Sequence, residues 1–304
     1  MRYRRDQATD GRDQILLQLT SSAVTPLGQV FATGELSHDR VSRHCLPERR
    51  HVVTTQGSLT LRRIAGALFL ISALTFATAA TILSATFDWP DILREPADVV
   101  LTRFASGGPS LVWTWFATAW TYAILVVPIL LLPTVLGRRD DVALWVATFA
   151  GAISVLLALI GFLRWVFVVP PLARMYQDAD DANRAALAAA WLSQHQFGGA
   201  LLGEHLGQLL AIGWSLTVSI IVIRTRVLPR WLGVIGLIVS VLYLFNQGDI
   251  LATALPGFPV FDLAGLIGST AWGLWVAALG ITLLFRRSSG QRSVRSPDAT
   301  TATT

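Results

Sequence analysis

The residues best able to do chemistry in this sequence lie at the start of one long apolar segment. Glu204 and Gln208 are four positions apart, and His205 and Gln208 are three apart, so on a helix the three side chains project from adjoining lines. Ionisable groups within a hydrophobic span are costly, and for that reason they indicate a candidate functional site. The residue types alone do not say which molecule such a site would handle.

Further polar side chains are expected at the same depth on neighbouring segments. Arg164, Glu204 and Asp249 lie ~33, ~30 and ~27 Å from the inner ends of the third, fourth and fifth apolar segments, at the rise per residue of an α-helix. We therefore expect one polar cluster below the outer surface, covered by the segments 88–110 and 172–197. Its expected members are Arg164, Glu204, His205, Gln208, Asn246 and Asp249, with Asp262 beside them.

This expected cluster has more than one interpretation. As a structural feature, Arg164 would pair with Glu204, because the antiparallel third and fourth helices bring their outer ends together. As a binding site, the cluster would line a water-accessible cavity for a small molecule or lipid. An accessory or regulatory protein that acts through a partner would have a dry, fully paired cluster. An intramembrane enzyme would need Glu204 and His205 to face one cavity.

Signatures of catalysis and of metal binding are missing from the sequence. It contains no Gly-x-Ser-x-Gly nucleophile elbow, no His-Glu-x-x-His zinc pair and no phosphate-binding glycine loop. His195 and His205 are the histidines of the membrane segments, and we expect His195 to be an interfacial side chain of a loop helix. The single cysteine, Cys45, excludes an internal disulfide. We therefore predict no metal, no cofactor and no catalytic residue.

The composition is that of an integral membrane protein. The chain is 53% hydrophobic and 14% charged, and its mean hydropathy is +0.55, which is too apolar for a soluble domain with a polar surface. The formal net charge is +5, and all 24 basic residues are arginines. Beyond the N-terminal region these arginines form short clusters at helix ends and no basic face, which excludes a nucleic-acid partner.

Apolar segments long enough to cross a ~30 Å hydrocarbon core recur along the chain. They are residues 64–87, 111–137, 142–169, 198–223, 231–253 and 261–285. We therefore predict an all-α, six-span bundle at 59–287, embedded in the lipid bilayer, with short amphipathic helices in its outer loops. The N-terminal arm 1–58 is expected to be disordered, or to reflect a start assigned too early. The tail 288–304 is expected to be disordered.

Arginine placement predicts the orientation of the bundle. The arginines expected on one side are Arg62, Arg63, Arg138, Arg139, Arg224, Arg226, Arg230, Arg286 and Arg287. Those expected on the other side are Arg94, Arg103, Arg174 and Arg184. Because cytoplasmic loops carry the excess of basic residues, the first side is cytoplasmic. Both termini are therefore expected in the cytoplasm of a bacterium, with the bundle in the cytoplasmic (inner) membrane.

Small residues recur every four positions in two of the segments. Gly199, Gly203 and Gly207 begin such a ridge in the fourth segment, and Gly265 and Gly273 belong to another in the sixth. Ridges of this kind let helix backbones approach closely. We expect them to serve packing within one chain, and the oligomeric state is left open.

Short motifs spread along the chain resemble those of a known family. They are Arg63-Ile64-Ala65-Gly66, the loop from Asp91-Ile92-Leu93 to Phe104, Gly203-Glu204-His205-Leu206-Gly207 and Leu228-Pro229-Arg230-Trp231-Leu232-Gly233. Together they resemble the bacterial family catalogued as domain of unknown function 4386, over roughly residues 61–285. The resemblance implies a six-span bacterial membrane protein. That family has no established activity, so the resemblance assigns no catalytic residue.

Overall fold

The computed structural model describes residues 48–261 and 263–286, and every regular element within these ranges is helical. Six helical stretches of this part of the chain are long and apolar enough to cross a membrane, which confirms the predicted all-α membrane bundle. These first to sixth spans are Leu59–Phe87, Ala97–Val135, Val142–Asp178, Asp181–Thr225, Arg230–Ala252 and Ala264–Phe285. Most of the arm, the tail and Asp262 lie outside the described residues, so the expectations for them stay predictions.

Most spans are built from more than one helix. The α-helices are Glu48–Phe87, Ala97–Ala123, Val126–Val135, Val142–Phe167, Val169–Asp178, Asp181–Gln194, Gly207–Thr225, Arg230–Leu244, Gln247–Ala252 and Ala264–Phe285. A 3₁₀ turn covers Asp91–Arg94, and a π-helix covers His195–Leu206. The first helix starts at Glu48, before residue 59, where the membrane bundle was predicted to begin. We call the end of the bundle with the loops 88–96 and 253–261 the outer end.

The spans form a closed ring in sequence order. Each span packs against the spans before and after it, and the sixth also packs against the first. Trp214 of the fourth span reaches across the interior of this ring. Its ring centroid lies 6.2 Å from that of Phe69 in the first span and 5.7 Å from that of Trp275 in the sixth. All three side chains belong to one buried apolar core, so close van der Waals packing holds the ring closed.

Two breaks in the second span have local causes in the sequence. Gly108 has a φ of 58°, in the left-handed region that glycine adopts without steric cost. Further along, the helix ends at Ala123 and restarts at Val126. Pro128 explains this break, because a proline ring within a helix clashes with the carbonyl four residues earlier, here that of Ile124.

The stretch before Gly108 was expected to be a short helix on the surface. It is helical, but its apolar side chains Val100, Leu101 and Phe104 are buried. The Phe104 ring lies 5.7 Å from that of Phe87, and it stacks at 5.8 Å on Trp165. The stretch is therefore an outer extension of the second span, and it helps to build an aromatic core beneath the outer loops.

Asp141 caps the third span at the inner end. Its carboxylate accepts a hydrogen bond from the backbone N–H of Leu144 at 3.2 Å, and it lies 2.9 Å from Arg138 Nε. The pKa of the Asp141 carboxyl is lowered, mainly by the hydrogen bond from the Leu144 N–H and secondly by the Arg138 guanidinium. These contacts stabilise the charged form, which also complements the positive end of the helix dipole.

Asp141→Ala is expected to lower the free energy of unfolding by about 1 kcal/mol at neutral pH. Because the folded pKa is lower than the unfolded one, this contribution is complete above the unfolded pKa of about 3.9, and it is lost as the pH falls through the lower folded value. Thermal unfolding in detergent across this pH range measures the effect. The exposed neighbour provides the control, Asp140→Ala, and equal losses for the two variants would contradict the assigned cap.

Candidate functional site

The outer end of the fourth span differs from the single α-helix that the sequence predicted. Residues His195–Leu206 form a π-helix, and the α-helix begins only at Gly207. A π-helix has more residues per turn, so positions four apart no longer lie on one line along it. Such turns are often found at functional sites. The sequence gives no signal of this winding beyond the glycines at 198, 199 and 203.

The predicted ridge of the fourth span faces the third span. A Cβ at Gly203 would lie 3.1 Å from the Gly161 Cα, and one at Gly207 would lie 3.6 Å from the Ser154 carbonyl oxygen. Gly199 has a different neighbour, because a Cβ there would take the place of the Arg164 guanidinium. These glycines thus allow close backbone approach and make room for one buried cation.

In the sixth span, the two predicted packing glycines behave differently from each other. A Cβ at Gly265 would lie 2.5 Å from Asn246 Oδ1, whereas one at Gly273 would meet no atom within 4 Å. Gly273 therefore marks no close contact in this chain. The close approaches of the span to backbone atoms are at Gly268, against Tyr243, and at Gly280, against Gly66.

Glu204 and Asp249 share one arginine, Arg94, which the sequence indicated only as a marker of the orientation of the bundle. Arg94 Nη2 lies 2.9 Å from Glu204 Oε2 and 2.6 Å from Asp249 Oδ2. Burial alone would lower the pKa of the Arg94 guanidinium, but the charges and hydrogen bonds of the two carboxylates outweigh burial and raise that pKa. Arg94 is thus a permanent cation that ties the loop after the first span to the fourth and fifth spans.

Arg164 and Glu204, which were expected to be partners, do not form an ion pair. Arg164 Nη1 donates to the His195 carbonyl oxygen at 3.2 Å, and Nη2 lies 3.4 Å from His195 Nδ1. The Arg164 side chain enters the gap left by Gly199. Glu204 points instead to Arg94, because the π-helical winding sets its direction around the helix axis.

The remaining predicted cluster residues form a separate hydrogen-bonded network. Gln208 Oε1 accepts from Asn246 Nδ2 at 2.9 Å and from Gln247 Nε2 at 3.0 Å. His205 Nδ1 lies 2.7 Å from Gln247 Oε1. Asn246 and Gln247 are buried, so these bonds offset the cost of removing their amides from water. Gln247 was not predicted, although it is adjacent to Asn246.

An open cleft of about 700 Å³ lies beside this cluster at the outer end. Its walls come from residues 93–97, from the helix Asp181–Gln194 and the start of the π-helix, and from residues 249–253. The polar side chains that line it are Arg94, Glu95, His195, Gln196, Asp249 and Thr253. Its apolar lining includes Trp191 and Leu192. Its volume lies within the range of small-molecule sites, but it is open on one side, so it would enclose a bound molecule only in part.

Glu204 and His205, the pair that an intramembrane enzyme would have to combine, take part in different contacts. Glu204 is engaged with Arg94, and His205 with Gln247, so the two side chains have separate partners. Among residues 48–261 and 263–286, no group of three or more His, Cys, Asp or Glu side chains could hold a metal ion. The polar side chains at the outer end thus form two sets of contacts, one around Arg94 and one around Gln208.

Comparison with known proteins gives one result. The family model described as "Domain of unknown function (DUF4386)" matches residues 64–280, which confirms the predicted family resemblance. No curated protein and no solved structure matches the chain. The matched range contains the cleft and all the polar residues described above.

Proposed function

This chain belongs to the family of the domain of unknown function 4386, and from that premise we propose that it is a multi-pass protein of the bacterial cytoplasmic membrane that binds a small amphiphilic molecule or lipid at its outer end. The family description names no activity, so the proposal depends on the geometry of the chain. The observation that carries it is the open cleft of about 700 Å³ with both charged and apolar walls.

The position of the cleft supports an amphiphilic ligand. Arg94 and Asp249 line one wall, where a polar group would find charge and hydrogen bonds. Trp191 and Leu192 line another part, where an apolar chain would gain from leaving water. Because the cleft opens at the outer end of the spans, a ligand bound there can keep its apolar part at the level of the lipid.

A second candidate is an accessory protein that acts through a partner, with the polar cluster purely structural. The observation that favours it is the network around Gln208, in which Asn246 and Gln247 both find an acceptor. That network explains the buried amides without a ligand. His195 and Gln196 lie outside that network and have partners of their own, Arg164 and Thr253. Binding is preferred because the open cleft beside them has both charged and apolar walls.

The binding proposal is tested by mass spectrometry of the molecules that co-purify with the protein in native lipid particles. Ala189→Trp places a large side chain in the cleft, and Ala190→Trp is the matched control because Ala190 does not line it. We expect one molecule to be enriched with the wild type and with Ala190→Trp but lost with Ala189→Trp. The same bulk lipids with all three proteins would contradict the proposal.

The proposed orientation has its own test. Asp140 and Asp180 are exposed and lie in turns at opposite ends of the bundle. With Cys45→Ser as background, a cysteine introduced at 180 is expected to react with a membrane-impermeant thiol reagent on intact cells, and one at 140 is not. The reverse pattern would place both described ends of the bundle outside the cytoplasm.

A further inference from the structure

Arg164 is a buried cation that uses few of its hydrogen-bond donors. It is 6% exposed, and its Nε has no hydrogen-bond partner within the described part of the chain. The Cζ lies 5.4 Å from the centroid of the Trp165 ring, a cation–π contact that gives no acceptor. Buried charges are normally paired with an opposite charge, and no ion pair of Arg164 occurs among the described residues. The guanidinium is therefore suited to receive an anion.

His195 occupies the terminal nitrogens of Arg164 with two neutral acceptors. The distances of 3.2 Å to its carbonyl oxygen and 3.4 Å to its Nδ1 exceed the ~2.7–2.9 Å of charge-assisted hydrogen bonds. Since arginine can only donate, the Nδ1 must accept, so the ring is neutral with its proton on Nε2. A carboxylate or phosphate offers two charged oxygens in the same arrangement, and it would bind the guanidinium more strongly.

The surroundings of Arg164 are shaped for a guanidinium. The missing side chain at Gly199 leaves the space that the guanidinium fills. Trp165 and Trp191 lie with their ring centroids 5.3 Å apart, and Trp191 lies 5.1 Å from the His195 ring. These aromatic rings pack next to the guanidinium and to the His195 ring that contacts it.

His195 is also the link between Arg164 and the cleft. The same imidazole that meets Arg164 lines the cleft together with Trp191 and Gln196. A ligand in the cleft is thus separated from the guanidinium by one side chain. For a ligand to reach the guanidinium, the His195 ring has to leave its place beside Trp191.

We propose that the cleft binds an amphiphile with an anionic carboxylate or phosphate headgroup, and that this headgroup replaces the His195 ring at Arg164. The apolar part of the ligand then lies against Trp191 and Leu192. This inference rests on the proposed binding function and adds the chemical class of the ligand. A fatty acid and an anionic phospholipid share the required chemistry, and the experiment below distinguishes them.

The test uses the full chain in phosphatidylcholine particles and three brominated probes that quench tryptophan fluorescence. The probes are a dibromo fatty acid, its uncharged methyl ester and a dibromo phosphatidylglycerol. Binding in the cleft is measured as the part of the fluorescence quenching that is present in the wild type and absent in Trp191→Phe. We expect saturable quenching by the fatty acid or the phosphatidylglycerol, whichever is the source of the headgroup, with at least tenfold weaker binding of the ester.

Variants at the two positions should change the affinity in opposite directions. Arg164→Gln is expected to raise the Kd about tenfold or more. Arg164→Lys is expected to raise the Kd by less, because lysine keeps the charge but lacks the planar guanidinium that donates two parallel hydrogen bonds. His195→Ala removes the competing ring and is expected to lower the Kd. Arg103→Gln, at an exposed arginine paired with Asp88, should change nothing.

The outcomes separate the two proposals. If no probe gives quenching that depends on Trp191, the binding function itself fails. If the ester binds as tightly as the charged probes, or if Arg164→Gln leaves the Kd unchanged, binding stands and the anionic headgroup is overturned. Should Arg164→Gln fail to fold, Arg164→Lys and His195→Ala decide, and an unchanged or raised Kd for His195→Ala overturns the inference.

Discussion

Gly280→Leu is expected to destabilise the bundle by about 3 kcal/mol or more, because it forces the first and sixth spans apart. A Cβ at Gly280 would lie 2.7 Å from the Gly66 carbonyl oxygen and 3.0 Å from the Leu70 backbone nitrogen. Both neighbours are backbone atoms, which cannot turn away as a flexible side chain can. Since these two spans close the ring, the strain acts on the contact that completes the fold.

The same helix provides a matched control. A Cβ at Gly273 would meet no atom within 4 Å, so Gly273→Ala should leave the stability unchanged or raise it by up to ~1 kcal/mol through helix propensity. Thermal unfolding in detergent compares Gly280→Leu, the smaller Gly280→Ala and this control. Equal melting temperatures for Gly280→Ala and Gly273→Ala would show that the first and sixth spans do not approach closely.

Arg94→Gln is expected to lower the free energy of unfolding by ~1–3 kcal/mol, since it leaves Glu204 and Asp249 close together without a cation. The effect is smaller than for a deeply buried pair, because the side chains of Arg94, Glu204 and Asp249 are 30%, 19% and 37% exposed. Arg103→Gln is the control, since Arg103 and its partner Asp88 are more exposed, at 43% and 56%. That pair should contribute little.

A double-mutant cycle isolates the contact of Arg94 with Glu204. Glu204→Gln removes one carboxylate and keeps the shape of the side chain. In that background the loss caused by Arg94→Gln should be smaller than in the wild type, with a coupling of about 1 kcal/mol. Strictly additive losses in thermal unfolding would mean that the two side chains do not interact, and Arg94 would then not hold the outer loop in place.

The spans were predictable because each rests on a long apolar run. A run of about 20 apolar residues can satisfy its backbone in lipid only as a helix, so hydropathy alone decides its conformation. The ridge at Gly203 and Gly207 was also readable, since small residues at regular spacing permit close helix contact. In the sixth span the same reasoning selected Gly273, but the close contact is at Gly280. Regular spacing shows that a helix has a line of small residues, and it does not show which line faces a neighbouring helix.

The side-chain partners at the outer end could not be predicted in the same way. Depth along a straight α-helix placed Arg164 and Glu204 at one level, but it gave no direction around the helix axis. The π-helical winding of His195–Leu206 changes the direction in which side chains project around the helix axis. No pattern in the sequence predicts this winding. The true partner of Glu204 is Arg94 in a loop, where the path of the backbone depends on tertiary contacts and not on periodicity.

The outer cleft as a ligand site is tested most directly by photochemical labelling of the full chain in its native membrane. An amphiphile with a photoreactive group next to its headgroup should label peptides that contain the cleft-lining residues 93–97, 188, 189, 191, 192, 195 and 196. An excess of the same amphiphile without the photoreactive group should suppress this labelling. Labelling spread over lipid-facing side chains such as Phe149 and Leu274, which are 62% and 67% exposed, and not reduced by the competitor, would contradict the assignment.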